Sequence, residues 1–405
     1  MCPDRLDVAL FFPRLTVFSG GVERTLKVVE YSDRANLHFT AYISPAVIRD
    51  SEVRRRLDAL ERSGRVALRT IGSDHTSPER FDAAMIPSEF WIPALRRIRA
   101  QRIRAPVFIE FHQLPYIGTF DVLKTVGVDD PGVIDLVRFP FVSSKILGDG
   151  LPFFAFQTAA CVSSVRSLAR FRQGRVMAVT PVTAKNLAAL RYPKRPFVPD
   201  IHVGVESDAV RISTEDEPIT YDGVYVGRFH PHKGFLDLPL IAARMNQALG
   251  RDVKIAVCGS PQFPRHLALF ERRVRSLGVE KNLVMLRWLS REDLYATIRR
   301  SKLLLYPSYV DAFSITVLES LCLGVPVLAY AIDALRMIWA ARKGVYLSPV
   351  GNPTAFAARY AELERTQALS SIRKETARQV EVLEREFTWE RAVKQERAFL
   401  ESAAS

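Results

Sequence analysis

Two carboxylates lie eight positions apart where an apolar run gives way to a helical pattern. In Tyr306–Ala329, reading YPSYVDAFSITVLESLCLGVPVLA, Asp311 follows the apolar run, and Glu319 lies inside a helix predicted over 314–323 that Gly324 is suited to end. The free N–H groups at such a helix start attract an anion, while the carboxylates accept hydrogen bonds from hydroxyls on either side of it. A nucleotide sugar, with ribose hydroxyls, a diphosphate and sugar hydroxyls, has that layout.

Two cations in a turn form a second pattern, independent of the acidic pair. The acidic spacing alone is also common in ordinary surface helices, so the second pattern matters. In the run VYVGRFHPHKG, a strand-like segment is followed by a turn that presents Arg228 and Lys233 between Gly227 and Gly234. Arginine makes forked contacts with phosphate oxygens and lysine acts as a point charge. Cations fixed there would stabilise a departing diphosphate more in the transition state than in the ground state.

The first half of the chain offers two weaker candidates. Gly20 and Gly21 follow the first strand-like run and are predicted to form a loop leading into a helix, where a backbone without side chains can approach a bulky group. The loop does not fit G-x-G-x-x-G, so a dinucleotide dehydrogenase is not supported. His112 comes directly after the apolar run PVFIEF, at the carboxyl end of a predicted strand, where ligands of parallel sheets bind. A structural loop and a structural histidine remain the alternatives.

The elements that must position these residues are strands alternating with helices in both halves. In the first half, strands are predicted at Val8–Phe12, Phe39–Ile43, Val66–Ile71, Ala83–Ile86, Val107–Phe111 and Val176–Thr180. In the second half, strands are predicted at Gly223–Val226, Val253–Cys258, Leu283–Leu286, Leu303–Tyr306, Val325–Tyr330 and Val345–Leu347. This alternation predicts an α/β protein with two doubly wound, Rossmann-like sheets and an active site in the cleft between two facing domains.

The acidic pair and the cationic turn together resemble retaining GT-B glycosyltransferases of family 4, the glycosyl transferases group 1. Asp311 takes the place of the first glutamate of the family's E-x7-E region, and Glu319 matches the second. Arg228 and Lys233, with their glycines, match the family's V-G-R-x-x-x-x-K-G. The resemblance implies that Asp311 contacts the transferred sugar and that Glu319 holds the ribose. The substrate-binding residues predicted beside them are Gly227, Phe313, Ser314 and Ile315.

Further residues gain a role only through this resemblance. It implies that Gly20 and Gly21 lie near the donor diphosphate and the acceptor, and that His112 touches the donor sugar. It also places the backbone at Gly259 and at Trp288 around the nucleobase. The sequence departs from the family pattern at Asp311, one methylene shorter than glutamate, and at Ala312 and Ser314 in place of usual glycines. These departures bear on the donor sugar more than on the class of enzyme.

The resemblance also implies a domain organisation. Residues 1–205 are predicted to form an acceptor-binding domain and residues 206–385 a nucleotide-sugar-binding domain. Residues 386–405 begin with the run FTWER and are predicted to form a terminal helix that crosses back to the first domain.

The mechanism implied by the family is transfer with retention of anomeric configuration. No DxD motif is present and no metal site is predicted, so Arg228 and Lys233 are expected to stabilise the charge that a metal ion stabilises elsewhere. The family is thought to react on one face of the sugar, with the leaving phosphate deprotonating the acceptor hydroxyl. We therefore expect no cofactor and assign no nucleophile or general base.

Composition and charge restrict the partners. The chain has 405 residues, 48% of them hydrophobic, which suits two soluble domains. Its net charge is +13, and positions 1–200 hold 29 of the 57 basic residues but only 20 of the 44 acidic ones. An anionic membrane surface is one hypothesis for this excess, and solvated helix faces are the plain alternative. Nucleic acid is not expected, because no basic run is interleaved with aromatic residues.

Four scattered cysteines and an N-terminus interrupted by Asp4 and Asp7 predict a cytoplasmic protein with free thiols, peripheral at the inner membrane face under the membrane hypothesis. The donor sugar, its nucleobase and the acceptor, which family members draw from lipids, polysaccharides and small molecules, are left open by the sequence. Two alternatives to the transferase also stay open: a non-catalytic sugar-nucleotide-binding protein of the same fold, and a phosphorylase or synthase of that fold.

Overall fold

The computed structural model describes residues 5–12, 20–43, 51–71, 79–87, 98, 103–112, 174–189, 192–206, 218–229, 233–261, 264–309, 311–366 and 368–402. Within these residues, contacts gather the chain into two compact units. Unit 1 takes its described residues from 5–112, 174–204 and 387–402, and unit 2 takes its own from 205–386. Acceptor binding by the first domain and nucleotide-sugar binding by the second stay predictions.

Unit 1 is built on a parallel sheet of six strands. Its elements are β1 (Leu6–Phe11), α1 (Gly20–Glu30), β2 (Leu37–Ile43), α2 (Ser51–Arg62), β3 (Val66–Thr70), β4 (Ala83–Ile86), β5 (Val107–Phe111), β6 (Gly174–Ala178) and α3 (Pro181–Ala189). The strand order is β3-β2-β1-β4-β5-β6. The order reverses beside β1, so α1 and the end of β5 lie at the edge where parallel sheets bind ligands.

Unit 2 repeats this architecture. Its elements are β7 (Gly223–Val226), α4 (Leu238–Leu249), β8 (Ile255–Cys258), α5 (Pro264–Leu277), β9 (Leu283–Arg287), α6 (Arg291–Arg299), β10 (Leu304–Tyr306), α7 (Ile315–Cys322), β11 (Val327–Tyr330), β12 (Val345–Ser348), α8 (Pro353–Arg365), α9 (Ala368–Ala377) and α10 (Val380–Glu386). The strand order is β12-β11-β10-β7-β8-β9, so β7 and β10 are neighbours. The turn after β7 and the loop after β10 therefore leave the same edge of the sheet side by side.

The last helix, α11 (Trp389–Glu401), belongs to unit 1. Its residues Val393, Phe399 and Leu400 lie in the hydrophobic core that β1, β2 and α1 also form. Phe399 packs edge-on against Phe108 of β5, with ring centroids 5.1 Å apart. The polypeptide thus returns to unit 1 after completing unit 2.

The strands form where the sequence predicts them, each within two residues of its predicted ends. Fully buried parallel strands need apolar side chains on both faces, and this gives the continuous apolar runs by which they were recognised. β4 illustrates this, because all four of its residues are apolar and buried. The predicted fold class is confirmed. The predicted helix at 314–323 is observed as α7, one residue shorter at each end.

Candidate functional site

Asp311 lies in the loop between β10 and α7, where its carboxylate is held from two sides. One oxygen, Oδ2, accepts a hydrogen bond from Lys233 Nζ at 2.7 Å and another from the hydroxyl of Tyr306. The other oxygen, Oδ1, accepts from the backbone N–H of Ala312 at 2.8 Å. Burial raises the pKa of the Asp311 carboxyl, but the charge of Lys233 and the hydrogen bonds outweigh burial and lower the pKa below its usual value. Asp311 is therefore ionised at neutral pH.

A glycine lets the turn after β7 lie directly against this loop. Gly234 has a φ of +71°, and a Cβ built there would lie 1.8 Å from the carbonyl oxygen of Pro307. A side chain at this position would push the turn away from the loop. Because the two backbones touch, the ammonium of Lys233 reaches the carboxylate of Asp311, although the residues are 78 positions apart.

Arg228 follows the end of β7 and lies in the same part of unit 2. Its backbone carbonyl accepts a hydrogen bond of 3.0 Å from the hydroxyl of Tyr225. Burial lowers the pKa of the Arg228 guanidinium, and the nearby negative charge of Asp311 opposes that shift. Because the ordinary pKa of an arginine guanidinium lies far above neutral pH, the side chain stays cationic. Arg228 and Lys233 thus bring two positive charges to the neighbourhood of Asp311.

Glycines also allow the ends of β7 and β8 to approach each other. Gly259 has a φ of +141°, and a Cβ there would lie 1.9 Å from the carbonyl oxygen of Gly227. The N–H of Gly259 donates to the carbonyl of Arg287 at 2.7 Å, and Arg287 itself has a φ of 60°. A left-handed conformation in a residue with a side chain is a strained state that the surrounding structure must maintain. Next to it, Trp288 is 64% exposed.

Glu319 lies on α7, in its second turn, and is oriented by a tyrosine of α6. The buried hydroxyl of Tyr295 donates to Glu319 Oε1 at 3.0 Å. Burial and the negative charge of Glu319 raise the pKa of Tyr295, so the hydroxyl keeps its proton. The sequence gives no signal for this role of Tyr295, since a tyrosine inside an amphipathic helix is usually a core residue.

The start of α7 is fixed by its neighbours. Trp339 donates its indole N–H to the carbonyl of Phe313 at 2.5 Å, and the two rings lie 5.0 Å apart. Ser314 is buried at the N-cap with a φ of 76°, and Ile315 opens the helix. The expected site residues of unit 2 are therefore on the loops and helix start that follow β7, β8, β9 and β10, all at the carboxyl edge of one sheet.

The remaining expected residues lie in unit 1. Gly20 and Gly21 are the first residues of α1, so the predicted loop is wrong at these two positions, and residues 13–19 lie outside the described residues. Position 21 needs a glycine because its backbone lies close to the His112 ring. A Cβ there would lie 2.7 Å from Nδ1 of His112. The other ring nitrogen, Nε2, lies 3.4 Å from Glu110 Oε2. The structure thus brings His112 and Gly21 together.

Beside His112 lies a buried cluster of charged side chains that the sequence did not predict. Arg24 donates to Glu110 at 2.8 Å, to Glu396 at 2.7 Å and to the backbone carbonyl of His202 at 2.9 Å. Burial, and next the negative charge of Glu110, raise the pKa of Glu396 to about 8 although Arg24 opposes the shift. A single glutamate inside the buried strand VFIEF was the available signal for Glu110. The sequence does not show that Arg24 pairs with Glu110 and Glu396, because these residues are 86 and 372 positions away from it.

Acidic neighbours neutralise part of the basic excess of the first half. Arg54 pairs with Asp58, Arg56 with Glu23, and Arg65 with Asp33. The other arginine-rich stretch falls mostly outside the described residues, with Arg96, Arg97, Arg99 and Arg102 among those not described. Among the described helices, none is both long and apolar enough to cross a bilayer. Membrane contact stays a hypothesis.

Over the described part of the chain, no cluster of three or more His, Cys, Asp or Glu could hold a metal ion. Metal-independent activity stays a prediction.

Unit 2 contains the residues that match a known protein family. Residues 213–380 match the family described as glycosyl transferases group 1. This part of the chain is therefore similar to that family. The match contains the cationic turn and the acidic loop, so Arg228, Lys233, Asp311 and Glu319 all lie within the matched residues.

Curated relatives resemble the same part of the chain. D-inositol 3-phosphate glycosyltransferase of Salinispora tropica is 30% identical over 182 residues, which are 43% of this chain and 36% of the relative. The enzyme of that name from Mycolicibacterium smegmatis is 28% identical over 172 residues, 40% of this chain and 38% of the relative. The alignments thus span little more than a third of the length of these relatives.

Solved structures resemble the chain as a whole. Anabaena HepE in complex with UDP and glucose superimposes with a TM-score of 0.65 at 12% identity, covering 97% of this chain and 98% of HepE. Sucrose-phosphate synthase from Thermosynechococcus elongatus gives a TM-score of 0.65 at 16% identity, covering 99% and 100%. At such identities the likeness shows the fold alone, which is GT-B.

Proposed function

We propose that the protein is a retaining glycosyltransferase that moves a sugar from a nucleoside diphosphate sugar to a hydroxyl of an acceptor. One observation carries the proposal: Arg228 and Lys233 bring two positive charges beside Asp311, in the loop that leads into α7, and Glu319 lies in the second turn of that helix. That arrangement suits a diphosphate flanked by hydroxyl groups.

The cations act on the leaving group. When the bond between the anomeric carbon and the diphosphate breaks, negative charge grows on the diphosphate oxygens. The guanidinium of Arg228, the ammonium of Lys233 and the free N–H groups of α7 are fixed before the reaction, so they favour the transition state over the ground state. Glu319, oriented by Tyr295, accepts hydrogen bonds from the ribose hydroxyls in this proposal.

The chemistry balances without a metal ion or an enzymic base. The acceptor oxygen bonds to the anomeric carbon on the face from which the diphosphate departs, and the hydroxyl proton passes to a diphosphate oxygen. Retention of configuration follows from this same-face route, which the family resemblance implies. The predicted contact of His112 with the donor sugar is part of the proposal on the same ground.

The relatives and neighbours support the substrate class. The curated relatives are named for transfer to D-inositol 3-phosphate, and HepE binds UDP and glucose. We therefore take a nucleoside diphosphate sugar as donor and a hydroxyl compound, lipid-linked, polysaccharide or small, as acceptor. Catalysis in the cytoplasm, with peripheral contact to an anionic membrane, completes the proposal.

The proposal is tested first by binding and then by turnover. A ligand that binds the folded state raises the unfolding temperature, so a panel of UDP, GDP and ADP sugars should reveal the donor. Replacing either cation, as Lys233→Ala or Arg228→Ala, should lower kcat about 100-fold or more, because the departing charge loses a fixed partner.

A matched control uses a lysine of the same unit. Lys281 forms a surface pair with Asp252, its side chain is 72% exposed, and Lys281→Ala should leave kcat unchanged. Turnover near the normal rate in both cation variants would refute the assignment.

A further inference from the structure

Glu110 is a buried acid to which the proposed chemistry gives no role. It lies in β5, two positions before His112, and none of its surface is exposed. Arg24 donates to Glu110 Oε1 at 2.8 Å and to Glu396 Oε2 at 2.7 Å. Two buried carboxyl groups thus share one guanidinium, although one negative charge would balance it. A second buried acid is costly, so the stability of unit 1 does not explain why Glu110 is present.

The contacts between these three charged groups belong to the interior of unit 1. The side chains of Arg24, Glu110 and Glu396 are 3%, 0% and 0% exposed, so no substrate reaches these contacts. Arg24 also donates to the backbone carbonyl of His202 at 2.9 Å, which fixes its guanidinium. Burial, and next the negative charge of Glu110, raise the pKa of Glu396 to about 8. Glu396 is therefore mostly a neutral acid at neutral pH, and the charge opposite Arg24 is that of Glu110.

The imidazole of His112 lies close to both Glu110 and the start of α1. Its Nε2 is 3.4 Å from Glu110 Oε2, and a carboxylate only accepts hydrogen bonds, so this contact requires a hydrogen on Nε2. The other ring nitrogen, Nδ1, lies beside Gly21, where a Cβ would be 2.7 Å from it. Gly21 is in the first turn of α1, and the N–H groups of a first turn favour a nearby lone pair over a further N–H. Both neighbours therefore favour the tautomer with its hydrogen on Nε2.

From this geometry we infer that Glu110 is a positioning residue: it holds His112 by Nε2–H, and it thereby keeps the lone pair of Nδ1 on the side of Gly21. The inference rests on the proposed function, in which His112 contacts the donor sugar, and it names the atoms of that contact. Nδ1 accepts a hydrogen bond from a hydroxyl group of the sugar. Arg24 supports Glu110 in this role, because it holds the other carboxylate oxygen.

The tautomer is measured in the protein without substrate. Long-range nitrogen–proton correlation spectra separate the two tautomers of a neutral imidazole, and the signals of His112 among the seven histidines are those missing from His112→Asn. We expect the hydrogen on Nε2 in the unmodified protein. In Glu110→Gln the amide oxygen stays on Arg24 and the NH2 group faces Nε2, so we expect the hydrogen to move to Nδ1. A hydrogen on Nδ1 in the unmodified protein, or on Nε2 in Glu110→Gln, would overturn the inference.

Turnover tests whether the tautomer matters for the reaction. Glu110→Gln places a hydrogen on Nδ1 and so removes the acceptor for the sugar hydroxyl, and we expect kcat/KM to fall about tenfold. Glu396→Gln is the matched control, because it changes the other carboxyl on Arg24 and leaves Glu110 beside His112. In this control kcat/KM should change less than about twofold, and the hydrogen should stay on Nε2.

A double-mutant cycle tests whether Glu110 acts through His112. In a His112→Ala background, Glu110→Gln should change kcat/KM less than about twofold, because the group that Glu110 positions is then absent. Equal losses with and without His112 would mean that Glu110 only maintains the fold, and the inference would be wrong.

The unmodified protein decides the matter even where Glu110→Gln does not fold, since a hydrogen on Nδ1 there contradicts the role given to Glu110. Glu110→Asp is then the second variant, and because it keeps an acceptor it should keep the hydrogen on Nε2. If no nucleoside diphosphate sugar is turned over, the proposed function fails and the contact with the sugar fails with it. The tautomer still shows in that case whether Glu110 holds His112, so the two failures are distinguishable.

Discussion

At the scale of single residues, two glycines with the same backbone conformation have different surroundings. Gly234 and Gly250 have φ angles of +71° and +68°. A Cβ on Gly234 would lie 1.8 Å from the carbonyl oxygen of Pro307, whereas none of the described atoms lies within 4 Å of a Cβ on Gly250. Substitutions at the two glycines therefore distinguish two contributions to the free energy of unfolding. One is the strain of a left-handed backbone, and the other is the loss of the close contact with Pro307.

The first prediction compares Gly234→Ala with Gly250→Ala. Alanine at 250 should cost about 1 kcal/mol, the strain of a positive φ. Alanine at 234 should cost clearly more, and it should weaken nucleoside diphosphate binding, because the turn of Lys233 must move away from the loop of Asp311. Urea unfolding measures the stability and calorimetry the binding. Equal effects of the two variants would mean that the contact with Pro307 is unimportant.

Glu396 gives the protein a pH-dependent stability. The pKa of its carboxyl is about 8 in the fold, against an ordinary value of 4.5, because the group is buried beside Glu110 and only partly compensated by Arg24. A carboxyl with a raised pKa contributes stability that is complete below its unfolded pKa and is lost as pH rises toward the folded one. The fold therefore favours the protonated acid, and its stability should decline between pH 4.5 and about 8.

Glu396→Gln tests this sign. The amide resembles the protonated acid but does not titrate, so the unfolding temperature of the variant should fall less between pH 6 and pH 8 than that of the unmodified protein. Glu401→Gln on the same helix is the control and should follow the unmodified protein, because the side chain of Glu401 is 50% exposed in its pair with Arg397. A parallel decline in all three proteins would contradict the role given to Glu396.

At the scale of elements, α6 carries Tyr295, the residue that orients Glu319. The first turn of α6 is held by Ser290. Ser290 at the N-cap accepts a hydrogen bond from the N–H of Asp293 at 3.1 Å and donates one to its carboxylate at 2.8 Å. Ser290 is therefore the N-cap residue of α6. Since the cap satisfies one of the helix's free N–H groups, it limits fraying of the turn that leads to Tyr295.

Ser290→Ala should destabilise α6 by about 1 kcal/mol. Hydrogen exchange at the amides of its first turn should become faster, and nucleotide binding should weaken slightly as Tyr295 loses order. Ser276→Ala is the matched control, because the hydroxyl of Ser276 only donates to a carbonyl of its own exposed helix. Unchanged exchange in α6 after Ser290→Ala would show that the cap is dispensable.

At the scale of the whole molecule, the two units are built differently along the chain. The described residues of unit 2 run without interruption by the other unit from 205 to 386, whereas unit 1 needs α11 from beyond residue 387. From this helix come the buried residues Val393, Phe399 and Leu400, and Glu396, which pairs with Arg24. The core of unit 1 is therefore incomplete without the end of the chain.

We predict that residues 205–386 expressed alone unfold cooperatively and keep the nucleoside diphosphate affinity of the cationic turn. Residues 1–204 expressed alone should lack a cooperative transition, since the apolar surface that α11 covers is exposed and Arg24 keeps only one carboxylate. Thermal unfolding followed by circular dichroism measures both. Joining residues 387–405 to residues 1–204 through a flexible linker should restore the transition, and a cooperative 1–204 segment would contradict the prediction.

Local patterns determined more of the fold than of the site. The strands were predictable because buried parallel strands need unbroken apolar runs, and β4, β5 and β7 match their predicted ends. The roles of the site residues stay predictions, and Tyr295, Tyr306 and Arg24 were not identified. Each of these three acts through a contact with a side chain, and the residue type alone is equally compatible with core packing or a surface position.

The sequence by itself determined the two parallel sheets, the helix α7 and the residue types that suit a diphosphate, since all of these follow from apolar periodicity and short-range spacing. Only the tertiary structure decided which groups meet. It joined Lys233 to Asp311 across 78 positions and Arg24 to Glu396 across 372. The physical reason is that such contacts depend on strand order and on close backbone approach at glycines such as Gly234, and neither leaves a periodic trace in the sequence.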